Sequence, residues 1–396
     1  MSDPSEVVYG DLTFTDTHPA LTSAIAALRG LHTPAVEHAR ILELGCGTGF
    51  NLLAIAESLP SATCTGIDLS PSHIRRASET ATAIGARNVE FHCLSIADYH
   101  PPANSFDYII AHGLYSWVPP AIRESILSLI RHALAPNGVA YVSYNTLPGW
   151  HVRSIIRDGL RFFSHTPSPR RSFDLLAQSL LTPNSIYAQA LNAEWADVNQ
   201  QPDYYLAHEY LVPNCEPFYF SAFNAAAAAH GLQFLAEARF FTNSFAQNEN
   251  TLAHLDRPGD DLIRREQHLD WLVGRYFRQS LLCHAEIPLL DDPDQSTILD
   301  RTIALTAESS DDPFTQQVID QLAPVTVLPA AELDLPGPLL VPLLWNGWRA
   351  ELWQVRTDTP AIQPGAALSP LARLQAAAGP TYTNPLHRPQ KIGVRH

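Results

Sequence analysis

The segment 41–50, reading Ile-Leu-Glu-Leu-Gly-Cys-Gly-Thr-Gly-Phe, constrains this chain more than any other stretch. Residues 41–44 have the apolar character of a buried strand, and an apolar helix-like run follows over 51–59. Between them Gly45, Cys46, Gly47, Thr48 and Gly49 turn the chain sharply. Glycine suits such a turn because it takes up unusual backbone angles and lets a ligand approach the main chain. The next apolar run, 62–67, closes on Asp68, about 20 residues beyond the turn, where a ribose-binding carboxylate is expected. A dinucleotide fingerprint would need its third glycine at position 50, which is Phe50. The third glycine here is Gly49, and an acid, Glu43, stands two residues before the first.

That Glu43-x-Gly45-x-Gly47-x-Gly49 pattern, with Asp68 beyond it, resembles motif I and its acidic partner in class I S-adenosylmethionine (SAM) methyltransferases. SAM carries an amino-acid tail, a ribose and a sulfonium rather than a pyrophosphate. Its carboxylate and ribose can lie against glycine backbone, and Asp68 can accept from both ribose hydroxyls. The resemblance implies a SAM site made by Glu43, Gly45, Cys46, Gly47, Gly49, Asp68 and Leu69, with S-adenosylhomocysteine as the product.

Beyond the turn, strand and helix patterns alternate. Expected strands are 41–44, 62–67, 89–93, 106–111 and 139–144, with helices at 51–59, 71–84 and 120–134. Such alternation predicts an α/β, Rossmann-like parallel sheet covered on both faces, with the ligand across the carboxyl ends of its strands. Pro136-Asn137-Gly138 reads as the turn into the fifth strand. Ahead of the sheet, a helix over 20–29 is expected to lid the SAM pocket, as in methyltransferases of this class. Tyr9, Thr17 and His18 are then cofactor or entrance contacts; the other reading makes Thr17 the cap of that helix.

After the third strand, Ser95 stands where methyltransferases usually place an acid for the adenine amino group. Its hydroxyl or Asp98 would take that bond, and Ile96 would pack on the base. The fourth strand runs out through Ala111, His112 and Gly113 to Tyr115 and Trp117, and the fifth through Asn145 to Trp150 and His151. Three segments here, 17–19, 112–119 and 144–150, look like a bacterial family that carries a methyltransferase regulatory region after the catalytic core. That family includes rickettsial protein-lysine methyltransferases acting on an outer-membrane surface protein. Residues 208–211, 218–220, 266–270, 275–278 and 281–284 fit the same pattern. The resemblance covers about residues 7–285 and fades beyond, leaving echoes at 371–375 and 384–387.

Residues 1–153 are thus read as the SAM-binding core and 154–203 as a helical insertion identified with the regulatory region. Residues 204–245 complete the core, ending in a helix over 218–230 and a final strand over 233–238. A connecting helix falls in 246–285, over 260–282, and 286–396 form a small C-terminal domain. There 338–344 and 348–355, split by Asn346-Gly347, suggest a helix or strand and half a hairpin, for which a winged-helix-like module is one form.

Forty acids against twenty-five bases give a formal charge of −15, which disfavours a nucleic-acid substrate; Arg153, Arg157, Arg161, Arg170 and Arg171 are the one candidate basic patch. Five dispersed cysteines, Cys46, Cys64, Cys93, Cys215 and Cys283, with no C-x-x-C and no signal peptide, read as reduced thiols of a cytoplasmic protein. No apolar run reaches the ~20 residues of a membrane span. The histidines lack metal-ligand spacing on one face.

Methyl transfer to an amine needs the acceptor deprotonated and held in line. A dry aromatic pocket lowers an ammonium's pKa and tolerates a sulfonium. Tyr115, Trp117, Trp150 and Tyr9 are candidates to line it, Asn145 to hold the acceptor, and His112 and His151 to titrate near neutrality. The family resemblance favours protein lysine as the acceptor. A small-molecule methyltransferase and a non-catalytic SAM sensor or scaffold are the alternatives, and a homodimer is allowed.

Overall fold

The computed structural model describes residues 11–163, 168–180, 186–201, 203–255, 261–358, 369–378, 381–383 and 389–391. Its centre is a seven-stranded sheet made of β1 (Arg40–Leu44), β2 (Thr63–Asp68), β3 (Val89–Cys93), β4 (Phe106–Ala111), β5 (Leu134–Asn145), β6 (Leu232–Glu237) and β7 (Phe277–His284), in the order β3-β2-β1-β4-β5-β7-β6. The first five are parallel, whereas β7 runs antiparallel to both β5 and β6. Every residue of β4 is buried, as expected of a strand with helices on both faces.

Helices α1 (Pro19–Leu28), α2 (Phe50–Ser58), α3 (Pro71–Ile84) and α4 (Pro120–Ala133) cover the parallel half. Local chemistry sets their ends. The Ser70 hydroxyl accepts from the His73 amide at 3.3 Å, Pro71 opens α3, and Gly85 closes it at φ 73°. Pro136–Gly138 form no separate turn. They lie within β5, as an irregularity in its register against 106–108.

The larger departure lies between 260 and 284. The expected connecting helix is two elements, α11 (Leu262–Val273) and β7, separated by Gly274 at φ 60°. β6 is therefore the edge strand, and β7 is inserted between it and β5. Arg278, at the start of β7, is wholly buried and reaches Glu237 (3.0 Å), Glu266 (2.9 Å) and Asp270 (2.8 Å), while Arg275 also binds Asp270 (2.6 Å). A buried charge is tolerable only when paired in this way.

Between β5 and β6 stand α5 (Trp150–Phe162), α6 (Pro169–Leu180), α7 (Ile186–Asn199), the short α8 (Asp203–Leu206) and α9 (Phe220–Ala229). The first four build a core of their own around Ile156, Leu160, Phe173, Trp195 and Leu206. The insertion thus begins at Trp150 rather than 154. The candidate basic patch is largely spent inside it. Arg153 is buried against Glu194 (2.6 Å), Arg157 is buried against backbone carbonyls, and Arg170 pairs with Asp203 (3.3 Å).

After β6 come α10 (Glu249–Leu255) and α11, and after β7 a C-terminal module. It comprises β8 (Thr302–Leu305), α12 (Pro313–Leu322), β9 (Val327–Pro329), α13 (Gly337–Arg349) and β10 (Trp353–Arg356), with strand order β10-β8-β9, followed by α14 (Pro370–Ala378). Asn346-Gly347 does not break α13. Gly347 is there because the Trp353 indole lies 1.9 Å from where a β-carbon would stand. Since β9 and β10 flank β8 with α13 between them in sequence, they do not form the hairpin of a winged helix.

The module packs on α1 through Asp294 N to Leu28 O (2.8 Å) and Thr357 N to Ala20 O (3.1 Å), so all ten residues of α1 are buried. Its apolar residues continue the core of the parallel sheet.

Candidate active site

The glycine turn lies at the carboxyl end of β1, where Gly45 N and Cys46 N both donate to Ile67 O (2.8 and 3.0 Å) and tie the turn to β2. Its three glycines differ in purpose. Gly49 caps α2 at φ 78°, and a β-carbon there would lie 2.8 Å from both Ala77 and Phe91, so it serves packing. Gly45 is covered by Leu114 at 3.1 Å. Gly47, at φ 54°, has no atom of the described residues within 4 Å of where a β-carbon would stand, and the same holds for Gly113 at φ 61° beyond β4. Between these two stretches of main chain a nucleoside can lie against the backbone, in the crevice expected at the carboxyl ends of the parallel strands.

Asp68 closes the crevice from the end of β2. Its Oδ2 accepts from Gly47 N and its Oδ1 from Ser70 N, both at 2.9 Å, and His73 Nδ1 lies 3.4 Å from Oδ1. Burial pushes its pKa upward, but His73 and the two amides outweigh this and hold the carboxyl below its ordinary value. It is therefore an anion at neutral pH with lone pairs left for a diol. Leu69 beside it is exposed, and Ile96 is half-buried across the opening. The Ser95 hydroxyl accepts from Ala97 N at 3.3 Å and keeps its own proton to donate.

Glu43 lies beneath the turn, wholly enclosed. Asn51 Nδ2 donates to its Oε1 at 2.8 Å, while Oε2 is buried without a hydrogen-bond partner among the described residues. Burial pushes the carboxyl up to about 8, and Asp68's charge adds to this against the pull of Asn51 and the Leu52 amide. An orphaned, desolvated acid at the floor of a crevice fits the ammonium of an amino-acid tail. Cys46 is also buried, which holds its thiol protonated.

Sequence reasoning missed Asn51 as a site residue. Its Oδ1 accepts from Phe14 N (2.9 Å) and its Nδ2 donates to Thr17 Oγ1 (3.1 Å), so one amide ties the N-terminal segment to Glu43. A polar residue in the first turn of a helix that is apolar from Leu52 to Ala56 was the available signal. Thr17 is buried in this network and does not cap α1. His18 does, accepting from Ala20 N at 3.2 Å. His18 is also enclosed by Ser58 (2.9 Å) and Arg356 (3.4 Å), which removes it from the cofactor contacts. Tyr9 lies outside the described residues.

At the end of β4, Ala111 is buried and His112 is sandwiched against Phe14, with ring centroids 3.7 Å apart. His112 Nδ1 bonds the Tyr141 hydroxyl at 2.8 Å, and Ser143 Oγ accepts from Gly113 N at 2.7 Å. Burial pushes His112 down to about 3, so it stays neutral and does not titrate near pH 7.

The acceptor candidates separate. Tyr115 is a core residue, edge-on to Tyr144, Phe218 and Phe223, and does not line a pocket. Asn145 is buried, with Nδ2 3.5 Å from Cys215 Sγ and its amide held by Ser116 Oγ. Trp117 is half-buried and meets Trp150 edge-on at 6.3 Å; Trp150 itself is 1% exposed. His151 is exposed and touches the Tyr219 hydroxyl at 3.3 Å. Among the described residues no group of histidines, cysteines and acids could hold a metal, and no helix is long and apolar enough to cross a membrane.

Comparison with known proteins agrees with this geometry. A family profile described as a methyltransferase domain matches residues 41–138, and one described as a predicted methyltransferase regulatory domain matches 202–284. The regulatory profile therefore covers α8 to β7, C-terminal to the 154–203 insertion with which the sequence reading identified it. The Rickettsia prowazekii (strain Madrid E) protein RP789 is 37% identical over 72% of this chain, and RP028 of the same organism is 39% identical over 52%. The chain spans 53% of the length of RP789 and 86% of RP028. The structure of PKMT2 from Rickettsia typhi in complex with AdoHcy matches 98% of this chain and 86% of its own, at 27% identity and a TM-score of 0.82.

Proposed function

Because the chain belongs to the class I SAM-dependent methyltransferases that carry a methyltransferase regulatory domain, we propose that it methylates the side-chain amine of lysine in a protein. The whole-chain likeness to PKMT2 carries this reading. An exposed apolar rim supports it. Trp271, Leu272, Val273 and Tyr276 are all exposed, and Tyr219 stacks on Trp271 at 5.8 Å. This rim adjoins the end of β5, because Thr146 N donates to Tyr276 O and Gly149 N to Arg275 O, both at 2.9 Å. A site for a small metabolite has no use for such a border, whereas a protein acceptor can lie across it.

When bound, SAM supplies a methyl group already activated on a sulfonium. Glu43 would hold its ammonium, Asp68 its ribose hydroxyls, and the amides around Gly47 and Gly113 would face its tail and thioether side. Leu69, Ser95 and Ile96 would border the base. The residues of the chain then have two tasks, to exclude water and to hold the acceptor amine in its neutral form. The amine lone pair forms the new N–C bond, the S–C pair remains on sulfur, and the methylated nitrogen sheds its extra proton to water. A cytoplasmic enzyme, for which a homodimer is allowed, belongs to the same proposal.

Incubation with methyl-labelled SAM and a bacterial lysate, followed by acid hydrolysis of the precipitated protein, tests it. Label recovered as methylated lysine is the expected result. Label confined to small molecules would favour a metabolite methyltransferase. AdoHcy binding with no label anywhere would favour a sensor.

A further inference from the structure

Residues Ala207–Leu211 form a single π-helical turn that continues α8. Such turns insert one residue into a helix and often mark functional sites, because they redirect a side chain that a regular helix would leave on its flank. His208 is the second residue of this turn. Its ring stands edge-on to Trp117 at 5.4 Å, and Trp117 stands edge-on to Trp150. The turn is splinted by α5. Arg157 donates to Glu209 O at 2.7 Å and to Val212 O, and its guanidinium lies 5.9 Å from the Trp117 ring.

The ring contact with Trp117 places this turn on the acceptor side of the sheet. Trp117 follows Gly113 in the loop that leaves β4, and that loop is pinned where Asn145 N donates to Ser116 Oγ at 2.9 Å. The first segment of the regulatory region thus packs on the loop beyond β4.

We propose that His208 is a positioning residue of the acceptor site, where a neutral ring nitrogen accepts a hydrogen bond from the N–H of the incoming amine beside Trp117. This rests on the reading that the acceptor is an amine. Burial, then the neighbouring charges of Arg157 and His73, push His208 down to about 4. So weak a base cannot hold a proton taken from an ammonium of ordinary pKa about 10.4. It can fix the orientation of an amine that has already given its proton to water. Arg157 works in the same direction, since a cation next to Trp117 disfavours a second one and so favours the neutral amine. In this account the regulatory segment supplies part of the active site.

The test uses the full chain saturated with AdoHcy and titrated with butylamine, a mimic of the lysine side chain, with the histidine ring nitrogens followed by NMR. A His208 ring-nitrogen resonance should move as the amine binds, and an unmoved resonance overturns the proposal. His208→Ala should weaken butylamine binding about tenfold, the worth of one hydrogen bond, with AdoHcy affinity held within about twofold. His208→Gln, which keeps an acceptor oxygen, should recover most of that loss. Parallel loss of AdoHcy affinity, or a glutamine variant no better than alanine, would make His208 a lid or packing residue and overturn the proposal. If His208→Ala does not fold, the wild-type titration alone decides. Amine binding as expected in a protein that labels no lysine would defeat the functional reading and leave this one standing.

Discussion

Asn51 Nδ2 donates to Glu43 Oε1 at 2.8 Å and leaves Glu43 Oε2 buried with no hydrogen-bond partner among the described residues. The half-satisfied acid lies under the glycine turn, so its protonation state is coupled to whatever cation enters the crevice. The unfolded carboxyl titrates near its ordinary 4.5 and the folded one near 8. Between those values the folded protein holds a proton that the unfolded chain lacks. Folding stability should therefore decline through this group as pH rises from 4.5 to 8 and level off above that. A bound ammonium reverses the preference. At pH 7, SAM binding should release about one proton, read as a difference in calorimetric heat between buffers of unlike ionisation enthalpy. Glu43→Gln should abolish the release and the stability slope together. A wild type that binds with no proton release would remove the ammonium from Glu43.

The carboxylate of Asp68 has two tasks, since it accepts from Gly47 N and Ser70 N before any ligand arrives. Asp68→Ala should weaken SAM binding by about 1.5–3 kcal/mol through lost charged hydrogen bonds, measured by calorimetry. Asp68→Asn retains one acceptor oxygen and should lose less. An unchanged dissociation constant in the alanine variant would refute the ribose assignment.

Two glycines that look alike in sequence should fail differently. At Gly49 a methyl group meets Ala77 and Phe91 at 2.8 Å, so Gly49→Ala should lower the melting temperature sharply. At Gly47 nothing among the described residues lies within 4 Å, and Gly47→Ala should cost the fold only the strain of a positive φ, about 1–2 kcal/mol, while SAM affinity falls. Equal melting losses with equal affinity losses would show that Gly47 does not face the ligand.

The glycine turn and Asp68 were legible because their chemistry is local; five consecutive residues and one carboxylate carry it. β7 was not. All of its residues after Phe277 are buried on both faces, so no alternation marks it, and Arg278 reads as a surface charge unless its three acids are known to converge. Those acids come from β6 and α11, up to 41 positions away in sequence. Gly347 was misread as a break for the same reason, since what requires a glycine there is an indole from the next strand. Tyr115 follows a strand end and has the right chemistry for a pocket, but the packing of Phe218 and Phe223 against it draws it into the core.

Arg278→Ala should therefore cost about 3–5 kcal/mol of stability, because it leaves Glu237, Glu266 and Asp270 buried together without their shared cation. The loss, read from urea denaturation, should be smaller at pH 5 than at pH 7.5. Burial already pushes Glu237 and Asp270 upward, and without Arg278 they would fold as neutral acids at the lower pH. A pH-independent loss would mean that packing of the Arg278 guanidinium over the Phe220 ring, not the three ion pairs, is what the substitution removes.

Trp117 and Trp150 touch edge-on at 6.3 Å, yet they should behave as different kinds of residue. Trp150 opens α5, is 1% exposed, and its indole nitrogen has no hydrogen-bond partner among the described residues. Trp150→Ala leaves a cavity where the insertion joins the sheet and should destabilise by about 3–5 kcal/mol, so that cofactor binding and methyl transfer decline with the folded fraction. Trp117 is half-buried between His208 and the crevice, and its removal opens the acceptor side rather than the core. Trp117→Ala should keep AdoHcy affinity within about twofold in calorimetry, while methyl transfer falls by at least tenfold. Melting curves with the two calorimetric titrations separate the pair; a Trp117 variant that loses cofactor affinity as fast as activity would move this indole from the acceptor to the donor side.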